Sequence, residues 1–280
     1  MSKNLGDIRK KIDSIDNHVH DLLMERAELV SSVSAAKKKD GLQVVQPARE
    51  ARMMRRLLAR HKGPLPRKTI VRIWRELVGS VSLLQAGLSV SVSPGKNENS
   101  FWDMAKNYFG SAIPMTHARD CMAAISMVCD EKESFAVMPW PEMDDNSPWW
   151  EHVFDNETLS IICALPYGTK RDENSVNAVV VSEMGFMSSD DDISFIGIRT
   201  SSKISKSHLR DKVEEARIRL LNVYNGPSNK VPGTDIYLLE VGGFFDDKSH
   251  QIENLKQLLG DQCSYCAVVG GYPVIPDIAQ

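Results

Sequence analysis

LLMERAEL, residues 22–29, interrupts an otherwise regular helical seam. Outward from it, Ile8, Ile12, Ile15, Val19, Leu22, Leu29, Val33 and Ala36 recur at alternating steps of four and three. That is the spacing of the a and d positions on one face of a packed helix. The step between Leu22 and Leu29 falls on Arg26, a guanidinium that cannot be deprotonated, where the pattern asks for an apolar side chain. The seam predicts a single helix over residues 4–39, about 50 Å long at 1.5 Å per residue. DGLQVVQP (40–47) breaks it, and Pro47 suits the first turn of a second helix running to about His61. HKGPLP (61–66) ends that helix, and Pro66 opens a third that carries Ile70, Trp74, Leu77, Val78, Val81 and Leu88. One very long helix followed by two shorter ones cannot cover its own seam. Residues 1–92 are therefore expected to be an all-α, three-helix, intertwined dimeric domain.

Charge separates this region from the rest. The chain of 280 residues is 42% apolar and 25% charged, with a net charge of −3. Residues 1–90 hold 18 Lys and Arg against 9 Asp and Glu, a balance of +9, and the remainder holds 16 against 28, a balance of −12. The N-terminal third calls for an anion, either nucleic acid or a small polyanion. MSKNLGDIRKK carries charges where a signal peptide needs an apolar run, and no stretch approaches the length of a membrane span. A folded cytoplasmic protein with no membrane partner is expected. The five cysteines are expected to be reduced thiols, and the lone Cys263-x-x-Cys266 pair to be ordinary strand residues.

SPGKNENS (93–100) has the composition of a linker. Around and beyond it LSVSVS, AIPMTH, SFAVMPW, LSIICALPY and NAVVVSE read as strands, with helices beginning near Asn99 and Ala118. An α/β lobe over 101–187 is expected. After MSSDDD (187–192), residues 193–280 suit a βαββαβ order, that of a ferredoxin-like α+β sandwich. Its helix is expected to run from Lys206 to Leu221, through KSHLRDKVEEARIRLL.

The polar residues of the helices share a direction. Glu50 lies three, four and seven residues before Met53, Met54 and Leu57, and Gln85 lies four after Val81 and eleven after Trp74, so both face inward. Arg9 adjoins Ile8 at the seam edge and Lys37 adjoins Ala36. A buried Arg–Glu network fixing helix register would explain any one of them. It does not explain the stoichiometry: Arg9, Arg26, Lys37 and Arg49 face the single carboxylate of Glu50. A surplus of cations inside a bundle is suited to a dianion with two carboxylates, each held by an arginine fork.

IRKKIDSID, LLMERAELV, AAKKKDG, QPAREARMMRRL and IWRELVGSVSLLQ together resemble the all-helical class of chorismate mutase over residues 4–90. The resemblance implies an intertwined dimer in which Arg9 is lent to the partner's site and pairs with one carboxylate of chorismate. Arg26 would hold a carboxylate within its own subunit, Lys37 and Gln85 would bond the ether oxygen, Glu50 would take the substrate hydroxyl, and Arg49 would brace the site. Two positions depart from the family pattern. Gln46 stands for an aspartate that can act through its backbone, and Val81 stands for a serine whose hydroxyl would bond substrate. The rearrangement implied is concerted, with no proton transfer, so no cofactor or metal is expected.

KNENSFWDMAKNYFGSAIPMTHARDCMAAISMVCDEKESFAVMPWPE (96–142) resembles the opening lobe of a prephenate dehydratase, and VVGGYPV (268–274) the end of its regulatory ACT domain. The family's second lobe is missing. Its catalytic Thr-Arg-Phe aligns with Val176, Asn177 and Ala178, and its amino-acid-sensing turn with KSHLRD (206–211), which has no glycine. The expected function is chorismate mutase, with chorismate as substrate and a homodimer or higher homo-oligomer as assembly. The alternatives are a bifunctional mutase–dehydratase, a regulatory pseudoenzyme and a nucleic-acid-binding helical dimer. The missing lobe counts against the first. Inward-facing Arg26, Glu50 and Gln85 count against nucleic acid, which needs its cations on exposed faces. His117 and His152 are expected to be structural, and Trp140, Trp149 and Trp150 to be core or interface aromatics covering the place of the missing lobe.

Overall fold

Leu5–Lys39 forms α1, Pro47–Arg60 α2 and Arg67–Ala86 α3. The computed structural model describes residues 4–39, 45–95, 99–169, 175–200 and 204–278, with the backbone alone over 31–39 and 84–86. Pro47 occupies the first turn of α2, where a missing N–H leaves nothing unsatisfied. Gly87 ends α3 with a left-handed φ of 60° and donates its N–H to the Leu83 carbonyl, a glycine C-cap.

The three helices do not close a bundle within one chain. α1 packs along α3 and turns Leu23, Arg26, Ala27 and Val30 partly out of solvent. Its seam points away: Leu5, Ile8, Ile12, Ile15, Val19, Leu22 and Leu29 are 40–64% exposed. α2 and α3 bury themselves on the rest of the chain instead. Met54, Leu58 and Val71 pack with Ile278 of the C-terminal segment. Gly79 brings α3 so near that a Cβ there would lie 1.8 Å from the Phe109 carbonyl oxygen.

The strands are β1 (Val90–Val92), β2 (Met115–His117), β3 (Phe135–Pro139), β4 (Ser160–Leu165), β5 (Ala178–Ser182), β6 (Asp192–Thr200), β7 (Arg219–Pro227), β8 (Asp235–Gly242) and β9 (Cys263–Pro273). The helices among them are α4 (Ser100–Phe109), α5 (Cys121–Cys129), α6 (Glu151–Phe154), α7 (Lys206–Glu215) and α8 (His250–Leu259). All described strands join one sheet in the order β2-β1-β3-β5-β4-β9-β6-β8-β7. Residues 192–273 thus carry the expected βαββαβ order, with β9-β6-β8-β7 as its sheet.

Four features differ from the expectations. Val90–Val92 pairs in parallel with both β2 and β3, so the segment 93–100 follows the first strand of the lobe's sheet and does not precede the lobe. The lobe and the βαββαβ unit are not separate sheets, because β4 meets β9 at Ile161 and Gly270. Gly270 has a φ of 120°, and a Cβ there would lie 2.1 Å from the Ile161 carbonyl oxygen; only glycine permits that approach. α7 ends at Glu215, not Leu221, since Arg217 is left-handed and Ile218 donates back to the Val213 carbonyl. That is a Schellman-type stop, after which Arg219–Leu221 opens β7. α6 is a fourth feature that periodicity did not predict. It belongs to the segment that buries Trp149 and Trp150 among Phe195, Leu238 and Met138, and covers one face of both halves of the sheet.

Candidate active site

The predicted site residues divide between two faces of the helical region. Arg9 and Arg26 lie on α1, Gln46 and Arg49 flank the start of α2, Glu50 sits in its first turn and Val81 on α3. Arg9 and Arg49 are exposed, and Arg26, Gln46 and Val81 are half-buried. Among the described residues, Arg9, Arg26 and Arg49 enter no ion pair. The side chains of Lys37 and Gln85 lie outside the described residues.

Glu50 is engaged from a direction the sequence did not indicate. Its Oε2 accepts a hydrogen bond from Arg75 Nη1 at 2.7 Å, and the two side chains are only 11% and 4% exposed. Arg75 Nε donates to the Tyr108 carbonyl at 2.6 Å. The guanidinium lies 3.9 Å above the Tyr108 ring and 5.3 Å from that of Tyr167. Burial works against the charge on Arg75, but Glu50 beside it more than restores that charge and raises the guanidinium above its ordinary range. In the same pocket burial raises the hydroxyls of Tyr108 and Tyr167 and pushes the Cys163 thiol up to about 12. Arg75 therefore stays a cation among neutral groups, and Glu50 is its counterion. Among the described residues Glu50 compensates Arg75, so it is not free to offset Arg9, Arg26 or Arg49.

Arg75 had a detectable signal. Val71, Arg75, Gly79 and Ser82 are spaced by four, four and three, a stripe on which Arg75 and Gly79 meet α4. The glycine and serine hide its periodicity, because close backbone contact needs small residues where a hydrophobic count expects large ones. α3 is held to α4 further by Glu76, which accepts from the Ser111 N–H and hydroxyl at 3.0 and 3.1 Å.

A second concavity lies where the lobe meets the βαββαβ unit. A cavity of about 480 Å³ is lined by Trp140, Tyr167, Asn177, Asn222, Glu240 and Tyr272 among others. Buried Glu240 accepts from Asn222 Nδ2 at 2.7 Å and from the Tyr224 and Tyr272 hydroxyls at 2.8 and 2.5 Å. Asn177 stands on this wall, and its Nδ2 donates to the Ser175 carbonyl at 3.0 Å. His117 stacks on Trp102 at 4.1 Å and His152 lies beside Glu151 in α6.

The helical region is of the chorismate mutase type II class. Residues 8–86 match that family and form a chorismate mutase type II domain at the N-terminus of the chain. The bifunctional chorismate mutase/prephenate dehydratase of Aquifex aeolicus is 26% identical over 141 residues, 49% of this chain and 39% of that protein. Its counterpart from Pseudomonas aeruginosa is 32% identical over 137 residues, 46% of this chain and 36% of that one. The chain thus spans less than half the length of these relatives. Both matched stretches are longer than the mutase domain alone. GqqA, described as a novel type of quorum quenching acylase, superposes with a TM-score of 0.50 at 12% identity, over 66% of this chain and 95% of that one. That likeness shows the fold alone. No described helix is long and apolar enough to cross a membrane.

Proposed function

We propose that this chain rearranges chorismate to prephenate in aromatic amino acid biosynthesis, as a cytoplasmic homodimer whose two active sites each use both chains. The observation that carries the reading is the match of residues 8–86 to chorismate mutase type II, with Arg9 and Arg26 in no ion pair among the described residues and the apolar seam of α1 exposed. Arg9 and Arg26 are seventeen residues apart on α1, roughly 25 Å along the axis. One chain cannot place both on one small dianion, but an antiparallel second copy of α1 brings Arg9 of the partner subunit beside Arg26.

The chemistry follows from the residue types. The reaction breaks an ether C–O bond and forms a C–C bond in one concerted step, with no proton transferred. The protein holds the compact conformer and stabilises negative charge that gathers on the ether oxygen. Arg26 and Arg9 of the partner subunit take the two carboxylates, Lys37 and Gln85 donate to the ether oxygen, and Glu50 accepts from the substrate hydroxyl. Arg49 and the backbone at Gln46 brace the start of α2. Val81 offers no hydrogen bond, so substrate binding is weaker than a serine would give.

No dehydratase activity is proposed. The positions aligned with that family's threonine and arginine are Val176 and Asn177, which supply neither a hydroxyl nor a guanidinium. The test follows chorismate absorbance with the whole protein and with Arg26→Ala and Lys37→Ala. Both variants should lose most turnover while keeping wild-type helical content, and near-normal activity in either sinks the site assignment. Incubation with prephenate at neutral pH should give phenylpyruvate only at the uncatalysed rate.

A further inference from the structure

The buried cation beside Glu50 has no place in the chemistry above, and its contacts run outside the helical region. We infer that Arg75 is a positioning residue that fixes Glu50 for the substrate hydroxyl, and that the α/β lobe takes part in the mutase site through it; this rests on the proposed function.

Three observations carry the inference. Arg75 is 3% exposed, so its fork cannot swing into solvent and back. Its two bonded edges join different parts of the chain: Nη1 holds Glu50 on α2, and Nε holds the Tyr108 carbonyl near the end of α4. Its flat face is seated on the Tyr108 ring and neighbours Tyr167, which follows β4. A guanidinium fixed on three sides has one orientation, and it transfers that orientation to the carboxylate it binds. Tight seating of α3 at Gly79 against Phe109 keeps the lobe's carbonyl in place. A cavity of only about 10 Å³ beside Glu50 and Arg75 leaves little room for the pair to rearrange. A carboxylate left to sample several rotamers would bind the hydroxyl less often, and that loss shows in substrate affinity before it shows in the concerted step.

The experiment measures kcat and KM for chorismate in the full chain, for wild type, Arg75→Lys, Arg75→Met, Glu50→Gln and the Glu50→Gln/Arg75→Met double variant. Arg75→Met should raise KM roughly tenfold with a smaller effect on kcat, the size expected when a charge-assisted hydrogen bond is lost. Arg75→Lys should recover part of the loss, because lysine keeps the charge but not the fork. In the Glu50→Gln background, Arg75→Met should add less than about twofold, since a residue acting through Glu50 has nothing left to act on. Independent, multiplying effects would overturn the inference, as would a lowered melting temperature with KM unchanged in the folded protein. A wild-type chain that does not turn over chorismate overturns the functional reading and this inference with it. A wild-type rate with multiplying variants overturns this inference alone.

Discussion

Ile15→Glu tests the assembly on which the proposed site depends. Ile15 is 60% exposed in the single chain and belongs to none of its core clusters, so a glutamate there leaves the chain's own core intact. In an antiparallel pair that sets Arg9 of the partner subunit beside Arg26, each residue of α1 lies opposite the position that completes a sum of 35. Ile15 then faces the region of position 20 near the two-fold axis, in the middle of the seam. Fully burying an isoleucine is worth about 1.5–3 kcal/mol, and with three-fifths still to be covered each copy contributes about 1–2 kcal/mol to the interface. The substitution enters twice, and each carboxylate, if it stays in the seam, costs several kcal/mol for want of a partner. The total is at least about 5 kcal/mol, which weakens association more than about a thousandfold.

Sedimentation velocity at micromolar protein should show a dimer for wild type and a monomer for the variant, with far-ultraviolet dichroism nearly unchanged away from α1. Chorismate turnover should fall by at least about a hundredfold, because each site loses the partner's arginine. A monomeric variant with near wild-type turnover would refute the shared site. A variant that stays dimeric with full activity would refute the seam as the interface.

Val81→Ser should lower KM for chorismate several-fold by restoring a hydroxyl donor in the site, and steady-state kinetics that leave KM unchanged would remove Val81 from the binding surface. Gly270→Ala should cost at least about 3 kcal/mol, since it combines a positive φ with a Cβ forced onto Ile161; thermal denaturation reads it, and a loss below about 1 kcal/mol would show that the sheet junction is adaptable. Residues 206–211, which open α7 with Lys206 and His208 and contain no glycine, should give weak or no response to phenylalanine. Saturable inhibition of the mutase with a matching thermal shift at sub-millimolar phenylalanine would reverse that expectation.

Sequence showed the elements better than their partners. The heptad spacing of α1, proline at the start of α2 and alternation in the strands are local signals, and they located nearly every element to within a few residues. The exposed seam was legible too, because seven large apolar residues in register need a cover that two short helices cannot supply. The direction of Glu50 was not. Periodicity placed it on the face of Met53, Met54 and Leu57, but Met54 packs with Ile278 and Glu50 turns to Arg75 on α3, and the spacing within α2 shows neither partner. The joined sheet was hidden for a similar reason: Gly270 sits in a glycine pair that reads as a strand end, and only its contact with Ile161 shows why it is glycine. Trp149 and Trp150 were legible as core or interface aromatics, and both are buried, while the short helix that follows them was not legible, since four residues carry no period.

The position of α2 shows how these parts depend on one another. Glu50 in its first turn is fixed by Arg75 and, through it, by the Tyr108 carbonyl. Two residues further, Arg52 pairs with Asp190 at 2.9 Å and donates to the Ser188 carbonyl at 2.7 Å. Arg55 donates to the Val274 carbonyl at 2.8 Å, to the Ser189 hydroxyl and Asp191 carbonyl at 2.7 Å each, and to the Ser189 carbonyl. The turn at 188–192 is itself rigid, because buried Asp192 accepts from the Ser189 N–H at 2.8 Å and its hydroxyl at 2.5 Å. Exposed pairs such as Arg52–Asp190 contribute little alone. The half-buried fork of Arg55, spread over three backbone carbonyls, contributes register, since it matches one placement of the helix. Arg49 and Glu50 are thus carried on a helix whose pose is set by α4 on one side and by the turn before β6 and the end of β9 on the other. Any ligand that moved the βαββαβ unit against the lobe would move the start of α2 with it. That coupling is mechanical, and it needs no amino-acid pocket.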